Sequence, residues 1–266
     1  MNISDIDFGQ LYREHMAAAG GREKPPEEWD ARAASMNTHT GDSGYVSEFV
    51  RRMDLSGCAT LLDVGCGTGA IGLALADRMT RVVGLDYSRG MLDAMLDNAA
   101  QRGLTNVEAI RCAWEDDWSG VPACDIVVAS RSTTVMDMAD ALAKLDAKAK
   151  RRVYLTSMVG GRFIDAEVAG LLGRSRPPLP DYIYILNILH RMGRRPRLDY
   201  IESDNRLAGT ENLDTFLRKV AFSVGELSED ERARLAGWHA ANPQRARQGG
   251  APFLWAFVSW DTTPGS

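Results

Sequence analysis

Three observations place this 266-residue chain in the α/β class, with a mostly parallel sheet and helices on both of its faces. From residue 59 to 158, short apolar runs alternate with longer stretches of helical periodicity, the pattern of strands linked by crossover helices. A glycine turn, Gly65-Cys66-Gly67-Thr68-Gly69, joins the first apolar run to the first helical one. A second apolar run, Arg81-Val-Val-Gly-Leu, ends on Asp86.

Residues 1–55 read as helical. Pro25 and Pro26 precede a segment whose early acids, Glu27 and Glu28, suit a helix N-terminus. A further helix over 43–53 places Tyr45, Val46, Phe49 and Val50 on one face. Strands are expected at 59–64, 81–86, 105–112, 124–130 and 151–158, and helices at 69–79, 88–102 and 135–149. After Met158 the rhythm breaks at Gly160-Gly161 and a proline-rich stretch. Asp181 can cap a helix from Tyr182 to Met192, and Arg197 to Glu202 reads as a strand. Helices near 211–222 and 228–241 precede an apolar final strand, Ala251 to Trp260. The organisation is a helical N-terminal cap over 1–55 and one α/β domain over 56–266. The domain carries a lid insert at about 160–196 and a helical insert at about 208–247.

The glycine turn carries the chemistry. Glycines there let a backbone approach a ligand closely and aim the first helix amides at it. A carboxylate ending the next strand can accept both hydroxyls of a ribose. Asp63, then Gly65, Gly67 and Gly69, fill the pattern acid, any residue, Gly-x-Gly-x-Gly. With the acidic strand end at Asp86, this resembles the cofactor motif of the class I methyltransferases, which use S-adenosylmethionine and release S-adenosylhomocysteine. The resemblance extends more loosely over residues 42–158. It implies a Rossmann-like sheet of seven strands, the last antiparallel. Gly67-x-Gly69-x-x-Gly72 also satisfies the dinucleotide fingerprint. In that fingerprint the first glycine follows the strand directly, whereas here an acid and an extra glycine intervene, which favours the amino-acid-bearing nucleoside.

The resemblance implies cofactor contacts from Asp63, Gly65, Cys66, Gly67, Gly69, Asp86 and Tyr87. After the third strand, relatives often carry an acid where this chain has Ala113; Trp114 is then a candidate wall for adenine and Glu115 for its exocyclic amine. After the fourth strand, Ser130 is the expected cofactor neighbour. Arg131 is open between holding an anionic substrate and making a structural ion pair. The acceptor pocket is expected from the cap and the lid, with His39, Tyr45, Tyr182, Tyr184, Asn187 and His190 as candidates. On the helix from Tyr182, Ile183, Asn187 and His190 share one face; a satisfied helix surface explains that polar pair equally well. No catalytic residue follows from the motif, because the donor is already activated.

Composition excludes several classes. Net charge is −5, which gives no global pull toward nucleic acid or anionic membrane. No apolar run approaches the ~20 residues needed to span a bilayer, and the first residues lack the pattern of a secretory signal, so the cytoplasm is expected. Cys58, Cys66, Cys112 and Cys124 lack metal-ligand spacing, the four histidines are scattered, and no metal is expected. The stretch after the fourth strand, Ser130-Arg-Ser-Thr133, lacks the Pro-Pro and Pro-Cys signatures of DNA-base methylation. A small-molecule acceptor is therefore expected. An RNA acceptor is the rival: residues 160–200 carry seven arginines against four acids, but residues 1–55 carry ten acids against six basic residues. The arginines of 191–197 read as solvated. A non-methyl transferase using the same cofactor, or a non-catalytic cofactor-binding subunit, would share the motif.

Overall fold

The computed structural model describes residues 2–20, 24–37, 44–174, 177–204, 207–248 and 252–262. Helices α1 (Phe8–Ala18), α2 (Pro26–Asn37) and α3 (Gly44–Arg51) precede β1 (Thr60–Val64). The alternation then runs through α4 (Ala70–Leu75), β2 (Arg81–Asp86), α5 (Arg89–Gln101), β3 (Val107–Arg111), β4 (Cys124–Ala129), α6 (Met138–Lys148) and β5 (Ala149–Met158). Helices α7 (Ala166–Leu171) and α8 (Tyr182–Arg191) lead to β6 (Arg197–Ser203). Helices α9 (Leu213–Val224), α10 (Glu229–Ala241) and α11 (Pro243–Gln248) lead to β7 (Phe253–Asp261). No helix among the described residues is long and apolar enough to cross a membrane.

The seven strands form one sheet in the order β3-β2-β1-β4-β5-β7-β6. The first five are parallel, and β7 is antiparallel to both β5 and β6. The expected sheet is therefore observed. The order reverses between β1 and β4, and ligands of open α/β sheets bind at the carboxyl ends of strands at such a point.

Side chains alternate across the sheet. Leu62, Val64, Val83 and Val127 pack on one face with α1, α6 and α8. Leu61, Val82, Ile126 and Val128 face the other way, toward α3 and α4. Trp260 of β7 is 1% exposed and closes the first core, and truncating such a ring costs ~3–5 kcal/mol. Its Nε1 donates to Asp146 at 2.9 Å. A third apolar cluster, Ile164, Val168, Phe216, Val220 and Leu235, joins α7, α9 and α10 apart from the sheet.

Several details differ from the sequence reading. Helix α4 ends at Leu75 instead of 79, and a 3-10 turn, Ala76–Arg78, follows. The Asn106 amide donates to the Ala76 and Met79 carbonyls there, which satisfies the freed helix end. Asp137 caps α6, so that helix starts at Met138. Helix α1 is packed into the main core. Tyr12 and Met16 are each 2% exposed, and the Tyr12 hydroxyl donates to the Val135 carbonyl at 2.8 Å. Arg194 is not merely solvated. It pairs with Asp146 at 2.7 Å and donates to the Thr262 carbonyl.

Candidate functional site

The glycine turn leaves β1 in left-handed backbone, with φ of 65° at Gly65, 53° at Gly67 and 90° at Gly69. Two of these positions need glycine for different reasons. A Cβ on Gly65 would fall 2.3 Å from the Ser132 Cβ, so the turn and the loop after β4 are in direct contact. A Cβ on Gly67 would meet nothing nearer than the Met91 Sδ at 3.9 Å, so there only the backbone angle demands glycine.

Asp86 is bonded into this turn. One carboxylate oxygen accepts the Gly67 amide at 2.9 Å and the other accepts the Ser88 amide at 2.9 Å. The residue is 7% exposed. Burial raises its pKa, and the Ser88 and Gly67 amides counter that rise. A carboxylate has about four acceptor positions, and no cation pairs with Asp86 among the described residues. It keeps spare acceptor capacity for a hydroxyl donor.

Asp63 lies deeper, at 2% exposure, and accepts the Gly72 amide at 2.9 Å. Burial, and to a lesser degree the charge of Asp86, push its pKa up to about 7. It braces the first turn of α4 against β1. Cys66 is buried and its thiol is held well above its usual range, first by burial and then by Asp63 and Asp86. It is inert packing within the turn.

Helix α2 docks beside Asp86. Its Asp30 accepts the Ser88 hydroxyl at 2.6 Å and the Gly90 amide at 2.8 Å. The Tyr87 hydroxyl donates to the Lys24 carbonyl at 2.8 Å. On its far side α2 meets α9: Trp29 stands edge-on to Phe222 at 5.5 Å, and the Lys24 ammonium lies 3.0 Å from the Phe222 ring centre. One short helix thus touches both the loop after β2 and the helical insert. Sequence reasoning missed Asp30; its spacing in α2 carries no signal without the docked partner.

At the carboxyl ends of β4 and β5, the Tyr45 hydroxyl bonds Ser130 Oγ at 2.9 Å and Thr156 Oγ1 at 2.8 Å. The ring is 4% exposed, and burial raises the pKa of its hydroxyl. Arg131 follows Ser130 with φ of 57°, the one non-glycine residue at positive φ among those described. Such a conformation costs ~1–2 kcal/mol. The Arg131 amide donates to Thr156 Oγ1 at 3.0 Å, which fixes it. Its guanidinium lies over the Tyr45 ring at 4.3 Å.

Next to Arg131 lies a narrow cleft, open to solvent, with about 420 Å³ of space outside the atoms when its open mouth is included. Its polar lining includes Arg131, Thr133, Ser157 and Asp181; Tyr12, Met16, Met138, Phe163 and Trp255 supply much of the rest. Asp181 already accepts the Gly160 and Tyr182 amides. Tyr12, Thr133 and Ser157 were missed from sequence. Ser157 sits at a strand end, the one signal that could have found it.

The other expected residues distribute unevenly. Trp114 donates its indole N–H to the Ser132 carbonyl at 3.2 Å and packs on Trp118 at 5.4 Å, so it is anchored to the loop after β4. Glu115 is exposed. Tyr184 reaches His15, its hydroxyl 3.0 Å from the imidazole Nδ1, and stands edge-on to Tyr12. Tyr182 turns away to the Tyr200 hydroxyl at 2.7 Å. Asn187 donates back to the Ile183 carbonyl, and His190 is exposed. The polar stripe of α8 is therefore its outer face, and Ile185, Ile188 and Leu189 are its inner one. Tyr182, Asn187 and His190 are not among the residues lining the cleft beside Arg131. His39 lies outside the described residues. No group of three or more candidate metal ligands occurs among the described residues.

Comparison with known proteins fits this geometry. Residues 61–151 match a family profile described as a methyltransferase domain. A Haemophilus influenzae protein of unassigned function is 37% identical over 98% of both chains. A tRNA (uracil-5-)-methyltransferase homolog of Mus musculus is 44% identical over 63 residues, 24% of this chain and 10% of that enzyme. In three dimensions the chain is similar to coclaurine N-methyltransferase, solved with N-methylheliamine and S-adenosylhomocysteine. The TM-score is 0.55 at 13% identity, covering 97% of this chain and 96% of that one.

Proposed function

The chain belongs to the class I S-adenosylmethionine-dependent methyltransferases, and from that premise we propose that it methylates a small molecule seated in the cleft beside Arg131. The donor is S-adenosylmethionine, whose sulfonium supplies an already activated methyl group. The residues of the turn fit it. A buried, cation-free carboxylate with spare acceptor positions stands beside a glycine turn whose face at Gly67 is open. Asp86 would hold the ribose hydroxyls. The turn from Gly65 to Gly69, with Cys66, would lie along the methionine arm. Tyr87 would border the adenine.

The observation that carries the acceptor reading is the cleft itself. It is concave, and apolar side chains share its lining with Arg131, Thr133, Thr134, Ser157 and Asp181, a mixture that suits a small polar-headed ligand. The chain's own task is to hold donor and acceptor in line and keep water out. The Tyr12 hydroxyl is no general base, since it donates to Val135 while burial raises its pKa. Asp181 accepts two amides and keeps further acceptor positions in the cleft lining. An acceptor that presents its own lone pair needs no base, and one that carries a proton would have Asp181 within the same cleft.

The arginine cluster that raised the RNA alternative is partly neutralised. Arg194 pairs with Asp146 and Arg197 with Asp261. The test is incubation with methyl-labelled S-adenosylmethionine and either the low-molecular-weight fraction or the total RNA of a cell extract. Label entering the small-molecule fraction is expected. Label entering RNA alone would overturn the reading.

A further inference from the structure

We propose that Arg131 is the recognition residue for an oxyanion, a carboxylate or phosphate, carried by the methyl acceptor; this rests on the function proposed above. The acceptor is then an amphipathic acid, with an apolar body along the cleft wall and a negative group at Arg131.

Four observations converge on this residue. First, the guanidinium faces a cleft and has no carboxylate partner among the described residues. Arg52, Arg152, Arg174 and Arg194 all have one. Second, Asp181, which shares the cleft lining, is aimed at the Gly160 and Tyr182 amides and makes no ion pair with Arg131. Third, the side chain is laid on the Tyr45 ring, and that ring is fixed by two hydroxyl hydrogen bonds to Ser130 and Thr156. Stacking on a held ring leaves the edge of the planar fork available for bidentate contact with an oxyanion. Fourth, Arg131 is in left-handed backbone that an arginine rarely adopts, and its amide is pinned by Thr156. Strain of this kind persists where the surroundings enforce it and often marks a ligand clamp.

Electrostatics adds a reason. The family's donor carries a positive sulfonium, and a second fixed cation at the same end of the sheet would repel it. An anion on the acceptor compensates both charges. The methionine carboxylate of the cofactor has the same chemistry, so the experiment separates the two sources.

The probes are 3-phenylpropanoate, phenyl phosphate and the neutral 3-phenylpropanamide, titrated by ligand-observed NMR into protein saturated with S-adenosylhomocysteine. The proteins are wild type, Arg131→Met and Arg131→Lys, each first shown to melt cooperatively. Wild type is expected to bind both anions with a Kd on the order of 1 mM and the amide at least fivefold more weakly. Arg131→Met should lose that preference, and Arg131→Lys should keep part of it. Calorimetry with S-adenosylhomocysteine and 5′-methylthioadenosine, which lacks the amino-acid carboxylate, gives the second readout. Both should bind wild type and Arg131→Met within about threefold. No anion preference in wild type, or a preference retained in Arg131→Met, would overturn the proposal. So would a tenfold loss confined to S-adenosylhomocysteine, which would assign Arg131 to the cofactor. Failure of wild type to bind S-adenosylhomocysteine would instead sink the function it rests on.

Discussion

The Asp86 carboxylate accepts the Gly67 amide at 2.9 Å, so the acid ending β2 and the glycine turn leaving β1 are one hydrogen-bonded unit. Neighbouring parallel strands bring the two together: Val64 pairs with Leu85, and both chains leave the sheet at the same level. A residue nineteen positions away thereby shapes the turn.

The turn itself predicts a graded glycine series. Gly65→Ala places a methyl against Ser132 in addition to the strain of positive φ, and the contact cannot relax without moving the loop after β4. It should cost at least ~3 kcal/mol in urea unfolding. Gly67→Ala meets only the backbone penalty, ~1 kcal/mol. It should fold but bind S-adenosylhomocysteine more weakly, because its methyl would occupy open space over the turn. Equal stability losses in the two variants would refute this division.

Asp63 predicts a pH dependence. Its pKa is about 7 in the folded chain and near the ordinary carboxylate value when unfolded. Between about pH 4 and pH 7 the folded state therefore holds the extra proton. Stability from this group falls as pH rises through that window and is level above it. Asp63→Asn removes the titration and can still accept the Gly72 amide. Relative to wild type, its melting temperature should improve from pH 5 to about pH 7 and then level off, by an amount equivalent to ~1–4 kcal/mol. Parallel profiles for the two proteins would show that Asp63 does not titrate there.

Helix α2 should open before α1. Tyr12 and Met16 tie α1 into the main core, whereas α2 is tied to the loop after β2 by Asp30 and to α9 by aromatic contacts. Asp30→Ala should speed amide exchange across 26–37 and at Gly90. The amides of α1 should stay protected. Exchange that rises equally in both helices would mean the N-terminal region moves as one body.

Arg194→Ala should destabilise the fold by ~1–3 kcal/mol, since it strips a mostly buried pair from Asp146, the residue that also receives the Trp260 indole N–H. Affinity for RNA should be unaffected at physiological salt. A stable variant that has lost salt-sensitive RNA binding would revive the nucleic-acid alternative.

The sheet was legible because its evidence is local. Apolar runs, the glycine turn and the acid at Asp86 are all read within short windows, and the register places them together. The proposed acceptor cleft was legible only at Arg131, read from its place after the fourth strand, because its other residues come from segments far apart in the chain. Tyr12, Arg131, Ser157 and Phe163 meet only after α1, the loops after β4 and β5 and the lid have packed. Periodicity left α8 open. The stripe through Asn187 and His190 has helical spacing, but spacing defines a face and not its direction. The apolar stripe through Ile185, Ile188 and Leu189 turned inward. Asp30 had no local signature, since its partners Ser88 and Gly90 lie on another helix N-terminus.

Asp86 and the glycine turn are the proposed seat of S-adenosylmethionine. Calorimetry with S-adenosylhomocysteine on wild type and Asp86→Asn, with NAD as the control ligand, tests that assignment most directly. The amide side chain of that variant keeps one acceptor for the turn but loses the charge that strengthens the ribose hydrogen bonds, a loss of ~1.5–3 kcal/mol or about 10- to 150-fold in affinity. Wild type should bind S-adenosylhomocysteine and not NAD, and the folded variant should bind S-adenosylhomocysteine at least tenfold more weakly. Binding of NAD in its place, or an Asp86→Asn variant that binds S-adenosylhomocysteine as wild type does, would contradict it.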